Sequence, residues 1–511
     1  MFRSFLTVSS GTLASRLLGF VRDSVIAALL GAGPVADAFL AAFQLVNVVR
    51  RLLSEGGLNA ALVPAWLKVR DSDGDAAARA FAGRVLGTVS AAVITAALVI
   101  GVVMPLVIAA IAPGFVGRDT LQFAVDAARL MLPYLAFAGP VTVMMALLNA
   151  QGRFALTAFS PLLFNIALIS VMAVLLVRQQ EAVQAALVMA ATIGVAGFLQ
   201  LSMLALRGAK LASPLRVSFD PEMRGFLGRA IPGMVASSAP QWLMVAGAVI
   251  ASTSPSAVSW LYFANRLLEL PLGIVGVAMG SVLIPEMTRA VRSGEPIAIA
   301  HAESRALELA AGLALPATLG LMVLSGPIVR MLFEHGAFTA ADTAATAQAL
   351  VWLTLALPAH VLVKALSPAF FAREDTLTPL FATLKAIVVA IAAAFLFGHI
   401  FGASGIAAGI ALGAWSNALA LTRKGAASFG FSIDADARRR LPRILGAALA
   451  MGVLLWLTAG ALPTGSHGLV QAASLLALIA AGIAGYGLFL QLFGVTGWRE
   501  AVNAVRQRRP A

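Results

Sequence analysis

Long apolar segments recur along the whole chain, and each is about the length of a helix that crosses a membrane. A bilayer core needs about 20 consecutive apolar residues in helical form. Strands of a membrane barrel would instead alternate apolar and polar residues over about ten positions. The pattern therefore predicts an all-α polytopic membrane protein with 14 transmembrane helices, at about residues 6–30, 35–62, 85–112, 125–149, 159–177, 185–206, 230–253, 258–285, 306–333, 345–371, 379–400, 405–421, 443–462 and 470–493.

The composition agrees with this class. The chain has 511 residues, of which 60% are hydrophobic and 12% charged, whereas soluble domains carry about 25% charged residues. A soluble fold of this length could not bury so much apolar surface. The chain has no cysteine, so disulfides, thiol catalysis and cysteine metal sites are excluded.

The positive charge lies mostly on one side of the predicted membrane. Of the 36 Lys and Arg residues, 25 fall in the N-terminus, the C-terminal tail and alternate loops, including those at 63–84, 207–229 and 422–443. The opposite side has only Arg118 and Arg178. Cytoplasmic loops carry the excess of Lys and Arg, so both termini are predicted to be cytoplasmic. The net charge of +13 thus mostly reflects the Lys and Arg residues that orient the chain in the membrane, and no nucleic-acid partner is expected.

A weak internal repeat divides the chain. Leu62-Val63-Pro64 matches Leu283-Ile284-Pro285, Pro105 matches Pro327, and Pro140 matches Pro358. Coincidence in a chain this rich in Ala, Leu and Pro is the alternative. A parallel repeat of two six-span halves commonly places a substrate site between them. We expect an N-terminal lobe at 1–220, a C-terminal lobe at 221–430, and two further helices with a basic tail at 431–511.

The first two spans contain charges that a plain membrane anchor lacks. An arginine at the centre of a membrane helix costs about 2.5–3.5 kcal/mol, so these side chains are expected to face a protein interior or a wet cavity. Snorkelling to the interface and helix-to-helix ion pairs that only hold the fold are the alternatives. The residues are Arg16, Arg22 and Asp23 in the first span, and Asp37, Arg50, Arg51 and Glu55 in the second.

On a helical wheel of 100° per residue, span two carries a polar stripe. Asp37, Gln44, Asn47 and Arg51 fall within about 80° of one another, and Arg50 lies on a flank. Glu55 follows Arg51 by one turn and can pair with it. The stripe is expected to line a cavity.

Span eight contains a similar pair. Arg266 lies well inside it, and Glu269 is three residues on and can reach the same face. Arginine binds phosphate through a planar fork and stays charged when partly desolvated. The excess of arginine over acid in these three spans therefore predicts an anionic ligand, such as the diphosphate of a lipid carrier.

Catalytic and metal motifs are absent from the sequence. The five histidines have no metal spacing, and there is no P-loop, HExxH or GxSxG. The acids at 71, 73 and 75 resemble a calcium loop, but Ala82 stands where its final glutamate belongs. We expect no cofactor and no enzymatic activity.

Several motifs resemble the MurJ (MviN) family of lipid II flippases. They are SRLLGFVRD, GAGPVADAF and NVVRRLLSEGGLNAALVP in residues 15–64, SWLYFANRLLELPLGIVGVA in span eight, APGF at 112–115 and NAQGRF at 149–154. The resemblance runs through nearly the whole chain. It implies the multidrug/oligosaccharidyl-lipid/polysaccharide exporter superfamily, with two six-helix lobes, a central cavity and alternating access.

The resemblance also implies a substrate and a site. The substrate would be lipid II, undecaprenyl-diphosphate carrying a disaccharide-pentapeptide, moved from the cytoplasmic to the periplasmic leaflet of the bacterial inner membrane. Membrane lipids and cell-wall synthesis proteins are the further partners that the resemblance implies. The family's cavity arginines fall on Arg16, Arg22, Arg50 and Arg266, with supporting polar residues at Asp37, Asn47, Arg51, Glu55 and Glu269.

Two details depart from the family pattern. The motif aligns the important arginine with Arg50, whereas the helical wheel favours Arg51; we follow the motif, because a kinked helix makes ideal azimuths inexact. Gln44 stands where some relatives have lysine. A sodium site of the kind described for some relatives lacks its acids, since residues 230–253 and 379–400 contain no Asp or Glu.

Three other functions are alternatives to a flippase. A drug or polysaccharide exporter of the same superfamily agrees less well with fourteen spans and the arginine set. A polyprenyl-phosphate glycosyltransferase would need acidic clusters for a metal at a membrane face. A scaffold without transport would leave the costly charges unexplained.

Overall fold

The computed structural model describes residues 2–54, 57–208, 211–237, 239–278, 289–290, 295–371, 373, 375–430, 433–460 and 468–495. Throughout these ranges the regular elements are helical, which confirms the predicted all-α class. The helices form two compact units. The first is Met1–Tyr262 with His335–Asp342, and the second is Phe263–Glu334 with Thr343–Ala511.

The first unit contains α1 to α9 and the start of α10. Their bounds are α1 Phe2–Leu30, α2 Pro34–Ser54, α3 Gly57–Val102, α4 Met104–Ile111, α5 Asp119–Ala150, α6 Phe154–Val177, α7 Ala182–Gly208, α8 Pro221–Ser237, α9 Ala239–Ala251 and α10 Ala257–Ala278, with a short 3-10 helix at Pro113–Phe115. The long helix α5 packs against α2, α3 and α7, while α1 packs against α6. Apolar side chains from α3, α5 and α8 form one buried cluster, in which the rings of Phe81 and Phe226 meet edge to face.

The second unit contains the rest of α10 and seven further helices. They are α11 Pro296–Val323, α12 Ser325–Phe333, α13 Ala340–Thr354, α14 Ala356–Phe371, α15 Leu377–Phe429, α16 Ala435–Ala459 and α17 Leu469–Leu492. Helix α11 packs against α16 and α14, α14 against α15, and α16 against α17. The expected division at residues 220 and 430 stays a prediction.

Nine helical stretches in the described ranges are long and apolar enough to cross a membrane. Helices α1 and α2, which carry the charged residues of the first two predicted spans, are not among these nine. The count of fourteen spans therefore stays a prediction. Helix also continues into predicted loops: α3 runs through 63–84 with a kink at Gly74, and α15 extends to Phe429.

A glycine folds α15 back on itself. Gly402 has φ 58° inside the helix, in the left-handed region that glycine adopts without strain. After it, Gly405 and Gly409 lie so close to the preceding arm that a Cβ would come within 2.0 Å of the Phe397 oxygen and 2.3 Å of the Ala394 nitrogen. The two arms correspond to predicted spans eleven and twelve.

One pair of prolines matched in the internal repeat, Pro105 and Pro327, accompanies similar helix breaks. Pro105 is the second residue of α4, which follows a break at Val103. Pro327 is the third residue of α12, which follows a break at Leu324. Both short helices lead into a non-helical residue, Ala112 and Glu334.

Candidate functional site

Arg22 forms a buried ion pair with its neighbour Asp23 on α1. The Arg22 side chain is 5% exposed and Asp23 is fully buried. Arg22 Nε and Nη2 donate to Asp23 Oδ1 at 2.9 and 2.7 Å, and Nη1 donates to Asn165 Oδ1 on α6 at 3.1 Å. Asp23 thus pairs with the arginine next to it on the same helix.

Aromatic groups and a second helix complete the surroundings of this pair. The guanidinium carbon of Arg22 lies 5.2 and 5.6 Å from the ring centroids of Phe43 and Phe164, a distance at which a cation is attracted to a ring face. Tyr262 on α10 places its hydroxyl oxygen 3.3 Å from Asp23 Oδ1. Four helices therefore contribute to holding the charge in an apolar interior.

Asn165 is a site residue that the sequence analysis missed. Its Nδ2 donates to the Ser15 carbonyl at 3.1 Å while its Oδ1 accepts from Arg22, so it joins α6 to two turns of α1. The signal was that Asn165 is the one amide side chain in the mostly apolar segment 159–177. A buried amide needs partners because burying an unsatisfied polar group is costly.

The other arginines predicted from the first two spans are less buried than Arg22. Arg16 on α1 and Arg50 and Arg51 on α2 are each partly exposed. Arg50 Nη2 donates to Asn47 Oδ1 at 3.3 Å, one turn back on the same helix. Asn47 thus supports Arg50 directly. Glu55 lies outside the described residues.

Asp37 caps another helix. It is 3% exposed, near the start of α2, and its carboxylate accepts from the backbone N–H groups of Ser256 and Ser259, both at 2.8 Å. The Ser259 hydroxyl donates to the same carboxylate. These donors belong to the start of α10, where the first N–H groups have no partner within the helix. The Asp37 carboxylate therefore caps the N-terminus of α10.

Gln44, the other member of the polar stripe on α2, borders an apolar cavity of about 140 Å³. Its walls come from α2, the end of α4, α9 and α10, and include Trp242 and Val258. Within the described ranges, no group of three or more His, Asp or Glu side chains could hold a metal ion.

Arg266 and Glu269 lie on α10 in the second unit. Arg266 Nη1 donates to Glu269 Oε2 at 2.8 Å, and the two side chains are 18% and 19% exposed. Asn265 Nδ2 donates to the other carboxylate oxygen at 3.1 Å. Spacing of three residues predicts this contact, and the pair holds the Arg266 guanidinium close to its own helix.

The chain is similar to known proteins over its full length. A family model described as "Lipid II flippase MurJ" matches residues 26–475. The chain is 34% identical to the "Probable lipid II flippase MurJ" of Rhizobium tropici, over 100% of this chain and 98% of the relative. It is 36% identical to the protein of the same name from Rhizobium meliloti, over 97% and 94%.

Solved structures support the same fold. A structure titled "Lipid II flippase MurJ, inward closed conformation" matches with a TM-score of 0.77 and 22% identity, over 97% of this chain and 100% of that one. An inward-facing multidrug resistance MATE family transporter of the MOP superfamily matches with a TM-score of 0.64 and 15% identity, over 86% and 98%. The extent of the family match and the identity to full-length relatives together show that this chain belongs to the MurJ family of lipid II flippases.

Proposed function

We propose that this chain carries lipid II from the cytoplasmic to the periplasmic leaflet of the bacterial inner membrane by alternating access. Membership of the MurJ family and the names of its relatives support the substrate. The nine apolar helical stretches support the membrane location. The site proposed for the diphosphate is the arginine set Arg16, Arg22, Arg50 and Arg266.

The observation that carries the site is that α1 and α2 place partly exposed arginines, among them Arg16 and Arg50, within the predicted membrane spans. Arg16, Arg22, Arg50 and Arg51 share these helices with two described acids, Asp23 and Asp37. The Asp37 carboxylate already accepts three hydrogen bonds from the start of α10. Asp37 is thus engaged by α10, and an anionic ligand would bring further negative charge to these arginines.

A diphosphate suits these groups chemically. It brings about two negative charges, and its oxygens accept paired hydrogen bonds from guanidinium forks. Arg16 and Arg50 are accessible enough to contact a ligand directly. Arg22 donates three of its five N–H groups to Asp23 and Asn165. Its positive charge attracts the diphosphate, and its two other N–H groups can donate to a phosphate oxygen.

Lipid II binding by purified variants tests the site. Arg50→Ala removes a charge-assisted contact worth about 1.5–3 kcal/mol, so affinity should fall about ten- to a hundredfold. Arg50→Lys keeps the charge but loses the fork and should fall in between. Arg70→Ala is the matched control, since Arg70 is a partly exposed arginine that pairs with the exposed Asp71. Native affinity in the Ala variants of Arg16, Arg50 and Arg266 would refute the arginine site.

Depletion of the protein in cells tests the function itself. When its expression is shut off, lipid II should accumulate in the cytoplasmic leaflet, because synthesis continues while transfer stops. Accumulation of another lipid-linked precursor, or of none, would contradict the proposal.

A further inference from the structure

The apolar cavity beside α2 lies entirely within the first unit, because α2, the end of α4, α9 and the first turn of α10 all belong to that unit. Its walls are almost wholly apolar, and most of the residues that line it are aliphatic. Burying an unpaired polar group against such walls is costly. The cavity therefore selects an apolar ligand, or the apolar part of a larger one.

Hydrogen bonds between the wall helices fix one end of the cavity. The Asp37 carboxylate on α2 accepts from the backbone of Ser256 and Ser259 at the start of α10. The Gly114 N–H, just after α4, donates to Ser252 Oγ at the end of α9 at 2.9 Å. The two backbones touch there, since a Cβ on Gly114 would lie 2.2 Å from the Ser252 oxygen. Contacts of the protein itself thus hold these walls in place.

The other end of the cavity lies beside an arginine. Leu52 is the last lining residue on α2, and it directly follows Arg51, which is partly exposed. On the helical wheel, Arg51 lies about 20° from Gln44, at the edge of the lining face. Arg50 lies about 100° further round the helix, so Arg51 is the nearer cation. An anionic group at Arg51 and an apolar segment in the cavity can therefore belong to one molecule.

The volume of the cavity, about 140 Å³, suits a single isoprene unit. An apolar cavity of about 150 Å³ stays dry and takes one benzene molecule, and an isoprene unit is slightly smaller than benzene. We propose that the cavity binds the isoprene unit that is joined to the diphosphate of the carrier lipid, with Arg51 at the adjacent phosphate. This inference rests on the proposed function and adds to it a selectivity for prenyl diphosphates over other diphosphates.

Binding of two soluble probes to the purified full-length protein tests the cavity. Dimethylallyl diphosphate should bind at least about tenfold more tightly than inorganic diphosphate, because its isoprene unit leaves water. Ala248→Leu places a larger side chain in the cavity lining and should lower this ratio about fivefold or more. Ala110→Leu is the control, since Ala110 is exposed on α4 and lies outside the lining. Equal ratios in the two variants would overturn the proposal.

A variant that enlarges the cavity tests the same idea in the opposite direction and does not depend on the folding of Ala248→Leu. Leu52→Ala should improve the binding of geranyl diphosphate, which has a second isoprene unit, at least about fivefold relative to dimethylallyl diphosphate. No such change would count against the cavity. Arg51→Gln should weaken both diphosphates about tenfold or more, and unchanged affinities would overturn the assignment of Arg51.

Prenol, the five-carbon alcohol without a diphosphate, separates this inference from the proposed function. If the protein binds neither diphosphate, the proposed arginine site is refuted. Binding of prenol that Ala248→Leu abolishes and Ala110→Leu retains would still support the cavity as a site for an isoprene unit. A protein that binds no prenol and does not distinguish the two diphosphates would overturn the inference.

Discussion

The buried arginine Arg22 has a structural role, and the proposed site adds a binding role to it. Its fork joins Asp23 and Asn165 between two ring faces, and this arrangement fixes its orientation before any ligand arrives. Orientation in advance lowers the entropy that binding would otherwise cost. Removal of Arg22 should therefore affect stability and binding together, whereas removal of the more exposed Arg50 should affect mainly binding.

Thermal denaturation of the purified protein measures the structural part. Arg22→Ala leaves the Asp23 carboxylate buried without its cation, and breaking a buried pair in this way costs about 3–5 kcal/mol. Arg70→Ala, which removes an exposed pair with Asp71, should cost under about 1 kcal/mol. Equal losses of stability in the two variants would show that the buried pair contributes no more to the free energy of unfolding than the pair of Arg70 and Asp71.

At the scale of elements, caps and close approaches fix how the helices begin and pack. Asp434 precedes α16, and its side chain accepts from the Ala437 N–H at 2.7 Å. This hydrogen bond and the neighbouring His301 hold the pKa of the Asp434 carboxyl below its usual value. The carboxylate is thus the form that the folded protein favours.

The pH dependence of stability should reflect this cap. Because the folded-state pKa is lowered, the contribution of Asp434 is present above the unfolded pKa of about 3.9 and is lost as the pH falls through the folded value. Asp434→Ala should cost about 0.5–2 kcal/mol at neutral pH, with a smaller penalty in acid. Thermal denaturation from pH 7 to pH 3 measures it, and Asp436→Ala, an exposed acid in the same turn, is the control. A penalty that does not change with pH would contradict the cap.

The connection into α8 depends on two glycines of α3. The backbone N–H of Ser213 donates to the Arg79 carbonyl, and that of Arg216 donates to the Gly83 carbonyl. Arg84 Nη2 lies 2.6 Å from Glu222 Oε2 at the start of α8. A Cβ on Gly83 would lie 2.2 Å from the Pro214 oxygen, and one on Gly87 would lie 2.5 Å from the Arg216 oxygen. The small residues let an extended segment lie directly on the helix.

Gly83→Ala should therefore push this segment away from α3. Overpacking of this kind costs about 1–3 kcal/mol, to be measured as a loss of thermal stability with faster hydrogen exchange at residues 213–218. Gly228→Ala is the control, because nothing lies within 4 Å of its Cβ position. If the two variants behave alike, the close packing of 213–216 on α3 is not what stabilises the connection.

At the scale of the whole molecule, the charge distribution predicts the topology. Reporter fusions at Arg216 and at Gln180, in the turn between α6 and α7, should report the cytoplasmic and the periplasmic side respectively. The physical reason is the 25-to-2 distribution of Lys and Arg between the two sides. A report of the same side from both fusions would refute the fourteen-span arrangement.

The sequence by itself determined the class, the family and the charged residues of interest. Apolar runs and sparse charge exclude a soluble fold, and contacts within one helix follow from spacing alone. This is why the Arg266–Glu269 pair could be foreseen from the three-residue interval. The motifs around residues 15–64 were long enough to indicate the family that the comparisons then established.

Only the tertiary structure decided what each charged group contacts across helices. A helical wheel places Asp37 beside Gln44 and Arg51, yet its carboxylate serves the start of α10, more than 200 residues away in sequence. Asn165 reaches Arg22 across 143 positions, and the Ala337 N–H meets the Ala28 carbonyl at the end of α1 only through folding. Spacing along a chain determines azimuth on a single helix, whereas the partner of a buried polar group depends on which helices pack around it.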